Sequence, residues 1–345
     1  MQITVIGAGA MGGLLGAKLS LAGHQVTFIV RNPAYIAAIE ANGLQILSPE
    51  GNYTAHGVAV TDDYAKPGSQ DLVILAVKAH QMKPIIGKIG RLFGPQTIVM
   101  TVQNGIPWWY FHKTGGPFEG RRIEAVDPDG AIDAAIPAQL VIGCVAYPAG
   151  EVVAPGVIKH VEGNRFSVGE LDGEESLRVG MLAQILIGAG FKSYVLQDIR
   201  SEIWLKLWGN LSFNPISALT HATLVDICRF PLTRELAAEM MREAQAIASK
   251  LGITFRVTIE KRIEGAESVG AHKTSMLQDV EAGRALEVEA LLGAVVELGR
   301  LTETPIPHIE TVYALVKLLD KTMAQEKAGF ASVAPATAAA APVTV

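Results

Sequence analysis

A strand, a glycine-rich turn, a helix and a second strand fill the first thirty residues; two later apolar strands end in polar residues; and the pattern after Asp198 is helical almost without a break. Together these predict an α/β chain, with an N-terminal domain of Rossmann type followed by an all-helical C-terminal domain. A length of 345 residues suits two domains. The expected cuts give residues 1–198 as the Rossmann domain, 199–327 as the helical domain and 328–345 as a low-complexity Ala-, Pro- and Val-rich tail.

The opening unit runs Gln2–Ile6, then Gly7-Ala8-Gly9-Ala10-Met11-Gly12, then a helix from Leu14 to Ala22 closed by Gly23, then Gln25–Val30. This is the dinucleotide-binding arrangement. Gly7 permits the tight turn, Gly9 lets the backbone approach a pyrophosphate, and Gly12 allows close packing of helix on sheet. Ala10 and Met11 sit between them, where the positive end of the helix dipole meets the ligand. A ribose-binding acid is missing at the end of the second strand, where Arg31 stands instead. Its planar cation suits a 2′-phosphate and favours NADPH over NADH. Asn32 and Pro33 then cap and start a helix.

Asp71–Val77 reads as a central parallel strand because it is apolar almost throughout. It delivers Lys78 and Gln81 to the carboxyl edge of the sheet, where ligands bind in open α/β folds. Gly94-Pro95 marks a turn, and Thr97–Val102 brings Asn104 to the same edge, on the nicotinamide side. A long Gly- and Asp-rich connection, Trp108 to Asp133, either walls the pocket or only buries itself. Leu140–Tyr147, Val152–His160 and Phe166–Gly169 read as short antiparallel strands that extend the sheet, with Pro148–Gly150 as a turn. A helix over Ser176–Ile187, a stop at Gly190 and a last strand over Lys192–Leu196 complete the domain. Further helices are expected near 232–251, 257–264, 281–301 and 309–326, with one starting as early as Thr274.

Composition excludes several classes. A net charge of −5 gives no electrostatic reason to expect nucleic acid or an anionic membrane. Two cysteines, Cys144 and Cys228, support neither a disulfide framework nor a cysteine metal site, and no metal is expected. The chain opens on a strand, leaving no room for a signal peptide, and no apolar run reaches the roughly 18 residues of a membrane span. The expected location is cytoplasmic. A homodimer is an open expectation, since no residue pattern argues for or against it.

The chemistry gathers on Glu202–Asn214, where Lys206, Asn210 and Asn214 recur at intervals of four among Ile203, Leu205, Leu207, Trp208, Leu211 and Phe213. On a helix that spacing makes one polar row on an otherwise buried surface. A second row, Ser275, Asp279, Gly283 and Glu287, has the same interval. Ketone reduction by a nicotinamide needs a proton donor at the carbonyl oxygen and partners for the other polar groups. Lys206 suits the donor, Glu287 would orient it, and Asn210, Asn214 and Ser275 suit recognition of a small molecule's hydroxyl and carboxylate groups without adding charge.

These stretches resemble the ketopantoate reductase (2-dehydropantoate 2-reductase) family: Gly7–Gly12, Arg31, Lys78–Gln81, Gln103-Asn104-Gly105, Trp204-Leu205-Lys206 with Asn210 and Asn214-Pro215, and Ser275-Met-Leu-Gln-Asp279 followed by Glu287. The resemblance spans residues 1 to about 325. It implies a Rossmann domain and a helical domain with a cleft between them, and NADPH with Arg31 and Lys78 near its phosphates and Asn104 near the nicotinamide. It also implies Lys206 as general acid, Glu287 as its partner, and Asn210, Asn214 and Ser275 on the substrate. The implied reaction is reduction of 2-dehydropantoate to (R)-pantoate, on the route to pantothenate and coenzyme A. Two stretches depart from the family pattern: the bulky 108–133 connection, and His221–Asp226, which lacks an asparagine that some relatives carry.

Three other readings compete. A reductase of another branched 2-oxo acid would share every feature above. A non-catalytic NADPH-binding regulator would need no proton donor, so Lys206 and Glu287 argue against it. An opine-type dehydrogenase would favour a histidine-centred site, which the sequence does not present.

Overall fold

The computed structural model describes residues 1–326, so the expected 328–345 tail lies outside the described residues. The chain opens with β1 (Gln2–Ile6), α1 (Ala10–Leu21) and β2 (Gln25–Ile29). Next comes α2 (Pro33–Asn42), where Asn32 Oδ1 accepts the Ala34 N–H at 2.9 Å and Pro33 fills the first turn. Three short strands follow that are not among the expected elements: β3 (Leu44–Leu47), β4 (Tyr53–Ala55) and β5 (Val58–Thr61). Then come β6 (Gln70–Leu75), α3 (Ile86–Ile89), β7 (Phe93–Thr101), α4 (Ala131–Ala135) and β8 (Val141–Ala146). The series closes with β9 (Ala149–Ala154), β10 (Val157–Glu162), β11 (Phe166–Gly169) and α5 (Leu177–Gly188).

Seven strands form one sheet in the order β11-β8-β7-β6-β1-β2-β5, parallel except for β11. The chain leaves β1 toward β2 and β5, then returns to build β6, β7 and β8 on the other side. The carboxyl ends of β1 and β6 therefore flank a topological switch point. Strands β9 and β10 do not extend this sheet, contrary to expectation. They join β3 and β4 in a second sheet, β4-β3-β10-β9, in which β10 runs parallel to β3. Helix α1 packs between the two sheets and is buried nearly all round. A side chain at Gly13 would strike Ile158 of β10, and one at Gly16 would strike Phe28 of β2. The expected strand over 192–196 is only two isolated bridges, Lys192 to Arg165 and Val195 to Val168.

The helical part contains α6 (Ile199–Thr220), α7 (Leu224–Arg229), α8 (Pro231–Lys250), α9 (Ile259–Ser268) and α10 (Ser275–Glu281). A π-helical turn, Glu289–Gly293, leads into α11 (Ala294–Leu301), and α12 (Pro307–Glu326) follows. Two compact units emerge. The first is Met1–Trp208 with Ala244–Arg256 and Glu289–Pro305; the second is Gly209–Glu243, Val257–Val288 and the chain from Ile306 onward. A single cut at residue 198 falls inside the first unit, whose opening segment runs on to Trp208 and which later segments also join. Phe255 stacks on Trp208, with ring centroids 3.8 Å apart and planes 5° from parallel. Ala290 in turn accepts the Ile106 N–H at 2.9 Å.

Candidate active site

The glycine turn is built as the spacing requires. Gly7 follows β1 at φ +101°, a left-handed value that side chains disfavour. A Cβ on Gly12 would lie 2.1 Å from the Gly7 carbonyl oxygen and 2.7 Å from Ala76 Cβ, so α1 could not approach the sheet with any larger residue there. Gly9 is different. A Cβ added to it meets nothing within 4 Å, and as N-cap of α1 it supplies no side-chain cap. The helix start, with Ala10 and Met11 half-buried in its first turn, therefore faces open space with its positive dipole end. That geometry fits a dinucleotide pyrophosphate.

The residues expected around a cofactor stand at the carboxyl ends of neighbouring strands. Arg31 is exposed just after β2, and Lys78 is half-buried after β6. Gln81 Oε1 accepts the Lys78 backbone N–H at 3.1 Å and so fixes the turn that presents this lysine. Asn104 follows β7 on a loop anchored by Gly105, whose φ is +87° and whose Cβ would sit 2.3 Å from the Ala290 carbonyl oxygen. The π-turn thus latches the Asn104 loop, with the Ile106 N–H on the same carbonyl. Such turns recur at functional sites because they break the regular helical ladder.

Lys206 lies on the part of α6 that belongs to the first unit. Its Nζ donates to Asn104 Oδ1 at 2.6 Å and also to the Ala146 carbonyl at the end of β8. Both of these acceptors are neutral oxygens, and they fix the position of the ammonium. Cys144, also on β8, is fully buried, and burial raises its thiol to about 12 against the opposing pull of the Lys206 charge. It is thus a protonated core residue.

One turn before Lys206 is Glu202, which the sequence reading named only as the start of the stretch. It extends the polar row to four residues at intervals of four, a signal present in the sequence. Its carboxylate is 2% exposed, yet it accepts from the Tyr147 hydroxyl at 2.5 Å and from Arg256 Nη1, and forms an ion pair with Arg165 Nη2 at 3.3 Å. Burial alone would raise the Glu202 carboxyl; the hydrogen bonds from Arg256 and Tyr147 and the two guanidinium charges outweigh it and hold the group below its ordinary value. Arg165 also lies 3.7 Å from the centre of the Tyr147 ring.

The aromatic start of the 108–133 connection is buried, while most of residues 113–122 are exposed. Trp108, Trp109, Tyr110 and Phe111 are all buried. Trp109 Nε1 donates to Thr101 at 3.2 Å, and Tyr110 accepts from Trp204 Nε1 at 2.7 Å. Arg200 of α6 donates to the carbonyls of Tyr110, His112 and Leu171. This connection therefore seats the first turns of the lysine helix.

In the second unit, Asn214 Nδ2 donates to Ser275 Oγ at 3.5 Å, which brings two expected substrate residues together. Asn210 is half-buried one turn before Asn214 on α6. The second polar row does not survive as one helix face. Helix α10 ends at Glu281, Gly283 adopts φ +61°, and the N–H groups of Gly283 and Arg284 close on the carbonyls of Val280 and Asp279. This is a Schellman stop, so half-buried Glu287 lies in the non-helical stretch beyond it rather than two turns along from Asp279. His221–Asp226 starts α7, with Asp226 accepting the Thr223 N–H at 3.1 Å and its hydroxyl at 2.5 Å.

No described helix is long and apolar enough to cross a membrane. Among the described residues, no cluster of three or more His, Cys, Asp or Glu could hold a metal ion.

Comparison with known proteins places this geometry. A curated 2-dehydropantoate 2-reductase from Mesorhizobium japonicum is 54% identical over 92% of this chain and 98% of its own. A provisionally assigned ketopantoate reductase from Ralstonia solanacearum MolK2 has a crystal structure that matches with a TM-score of 0.88 at 39% identity, covering 94% of this chain and 98% of that one. The crystal structure of 2-dehydropantoate 2-reductase from Methylococcus capsulatus matches with a TM-score of 0.79 at 31% identity, over 94% and 98% of the two chains. The family model for ketopantoate reductase PanE/ApbA matches residues 3–173 and its C-terminal counterpart matches 198–320; the chain belongs to the ketopantoate reductase family.

Proposed function

We propose that this chain is an NADPH-dependent 2-dehydropantoate 2-reductase, converting 2-dehydropantoate to (R)-pantoate on the route to pantothenate and coenzyme A. The observation that carries the reading is an ammonium, Lys206, held on Asn104 Oδ1 and the Ala146 carbonyl, in a chain 54% identical to a curated enzyme of that activity. When bound, NADPH supplies the hydride.

The protein's residues supply the rest. The open helix start at Gly9–Gly12 takes the pyrophosphate, Arg31 and Lys78 meet the remaining phosphate charge, and Gln81 fixes the Lys78 turn. Asn104 serves the nicotinamide side and holds Lys206. The Lys206 ammonium donates a proton to the substrate's keto oxygen as negative charge develops there. Glu287 acts as its acidic partner, and Asn210, Asn214 and Ser275 bind the substrate's hydroxyl and carboxylate. The first unit takes the cofactor, and the second carries the substrate residues. The proposal also includes cytoplasmic location and a homodimer, the latter checked by sedimentation.

The deciding experiment is NADPH oxidation by the purified protein against a panel of branched 2-oxo acids that includes 2-dehydropantoate. The highest kcat/KM is expected with 2-dehydropantoate. Preference for another member would reassign the substrate, and oxidation with none would favour a non-catalytic NADPH-binding regulator.

A further inference from the structure

Glu202 and Lys206 stand one turn apart on α6 with the acid N-terminal to the base. This is the order in which a helix most favours an ion pair. The pair is not made. Glu202 is instead held by Tyr147, Arg165 and Arg256, while Lys206 reaches Asn104 and the Ala146 carbonyl. We propose that Arg256 and Arg165 are positioning residues which occupy the Glu202 carboxylate and so keep it from capturing Lys206. This rests on the reading of Lys206 as proton donor.

Three features support the assignment. A buried carboxylate must satisfy both of its oxygens. Arg256 covers Oε2, while Tyr147 and Arg165 cover Oε1. With Arg256 removed, Oε2 loses its guanidinium while Arg165 stays on Oε1, and Lys206, one turn along the same helix, has the spacing to reach the freed oxygen. Second, the network reaches the backbone that holds Lys206. Tyr147 directly follows Ala146, its N–H donates to the Arg165 carbonyl at 2.9 Å, and its ring lies 3.7 Å from the Arg165 guanidinium. Third, Arg256 is 56% exposed and lines a cavity of about 290 Å³ together with Glu202, Leu205 and Phe255. Truncating it removes a charge without opening the core.

The test is a kinetic and structural series on the full-length enzyme. Arg256→Ala is expected to lower kcat by about tenfold or more, the scale of a displaced catalytic group, with the KM for NADPH unchanged. Glu202→Gln in the Arg256→Ala background is expected to restore most of that loss, because a neutral amide attracts the ammonium much less strongly than a carboxylate does. A merely structural role for Arg256 predicts the reverse, with the double variant no better than the single. Arg256→Gln repeats the comparison should the alanine variant misfold. A crystal structure of Arg256→Ala is expected to show Lys206 Nζ on the Glu202 carboxylate. Wild-type kcat in Arg256→Ala, or Lys206 still seated on Asn104, overturns the proposal. Full turnover in Lys206→Ala would instead defeat the donor reading, and the position of Lys206 Nζ in the Arg256→Ala structure would still judge the clamp.

Discussion

Lys206 Nζ donates to Asn104 Oδ1 at 2.6 Å across 102 residues of sequence. This bond ties the helix carrying the row of polar side chains to the loop that leaves β7 at the carboxyl edge of the parallel sheet. The half-buried ammonium is thereby held at that edge, the position from which the proposed mechanism has it meet developing negative charge on a keto oxygen. Replacing Lys206 with alanine removes the proposed proton donor and leaves the glycine turn untouched. We expect kcat to fall by at least about 100-fold, the usual scale of a lost general acid, with NADPH binding retained in a fluorescence titration. Turnover close to wild type would remove Lys206 from the chemistry.

Arg31 follows β2 in an exposed position, so a cation stands where an NAD-binding sequence usually carries a ribose-binding acid. Arg31→Glu reverses that preference in principle, by repelling the phosphate and accepting from the hydroxyls. The ratio of kcat/KM for NADPH to that for NADH is expected to fall. An unchanged ratio would mean that another group selects the cofactor.

The two inner glycines of the turn make separable predictions. A Cβ on Gly9 meets no protein atom within 4 Å, whereas one on Gly12 lies 2.1 Å from a backbone oxygen. Gly9→Ala is therefore expected to keep the wild-type Tm while losing NADPH affinity, because the methyl group occupies the pyrophosphate approach. Gly12→Ala is expected to lose both, since α1 must move off the sheet. If Gly9→Ala binds NADPH as tightly as wild type, the turn does not hold the pyrophosphate.

Local signals carried much of this architecture, and long-range ones carried the rest. The opening βαβ unit is legible because its glycines, apolar runs and helix stop lie within thirty residues. Gly23 and Gly190 stop their helices where the spacing placed them, each with a left-handed φ. Gly283 carries the same signal, but it also falls in the four-residue spacing from Ser275 to Glu287, which mimics a continuous helix through it. The second sheet was illegible for a different reason: β3 pairs with β10 across more than a hundred residues, and neither strand shows that partner in its own pattern. The Glu202 network joins the two cases. Its acid stands in plain view one turn before Lys206, but its partners Tyr147, Arg165 and Arg256 come from three distant segments that only the fold assembles.

The same network makes a prediction about acid stability. Glu202 is nearly inaccessible, and its carboxyl is held below the ordinary 4.5 despite burial, by hydrogen bonds from Arg256 and Tyr147 and by the charges of Arg256 and Arg165. A carboxyl whose folded value is depressed binds protons more weakly folded than unfolded. Its stabilising effect is thus complete above the unfolded value near 4.5 and is lost as pH falls through the lower folded value. In Glu202→Gln the titrating group is gone, and two guanidinium groups face a neutral amide. At neutral pH this variant is expected to unfold at lower urea concentration than wild type. As pH drops below about 4.5 the gap should narrow, because wild type loses a contribution that the variant never had. Urea midpoints from pH 7 down to the acid limit of reversible folding measure this directly. A gap that stays constant or widens on acidification would show that Glu202 does not enter the native state as a paired carboxylate.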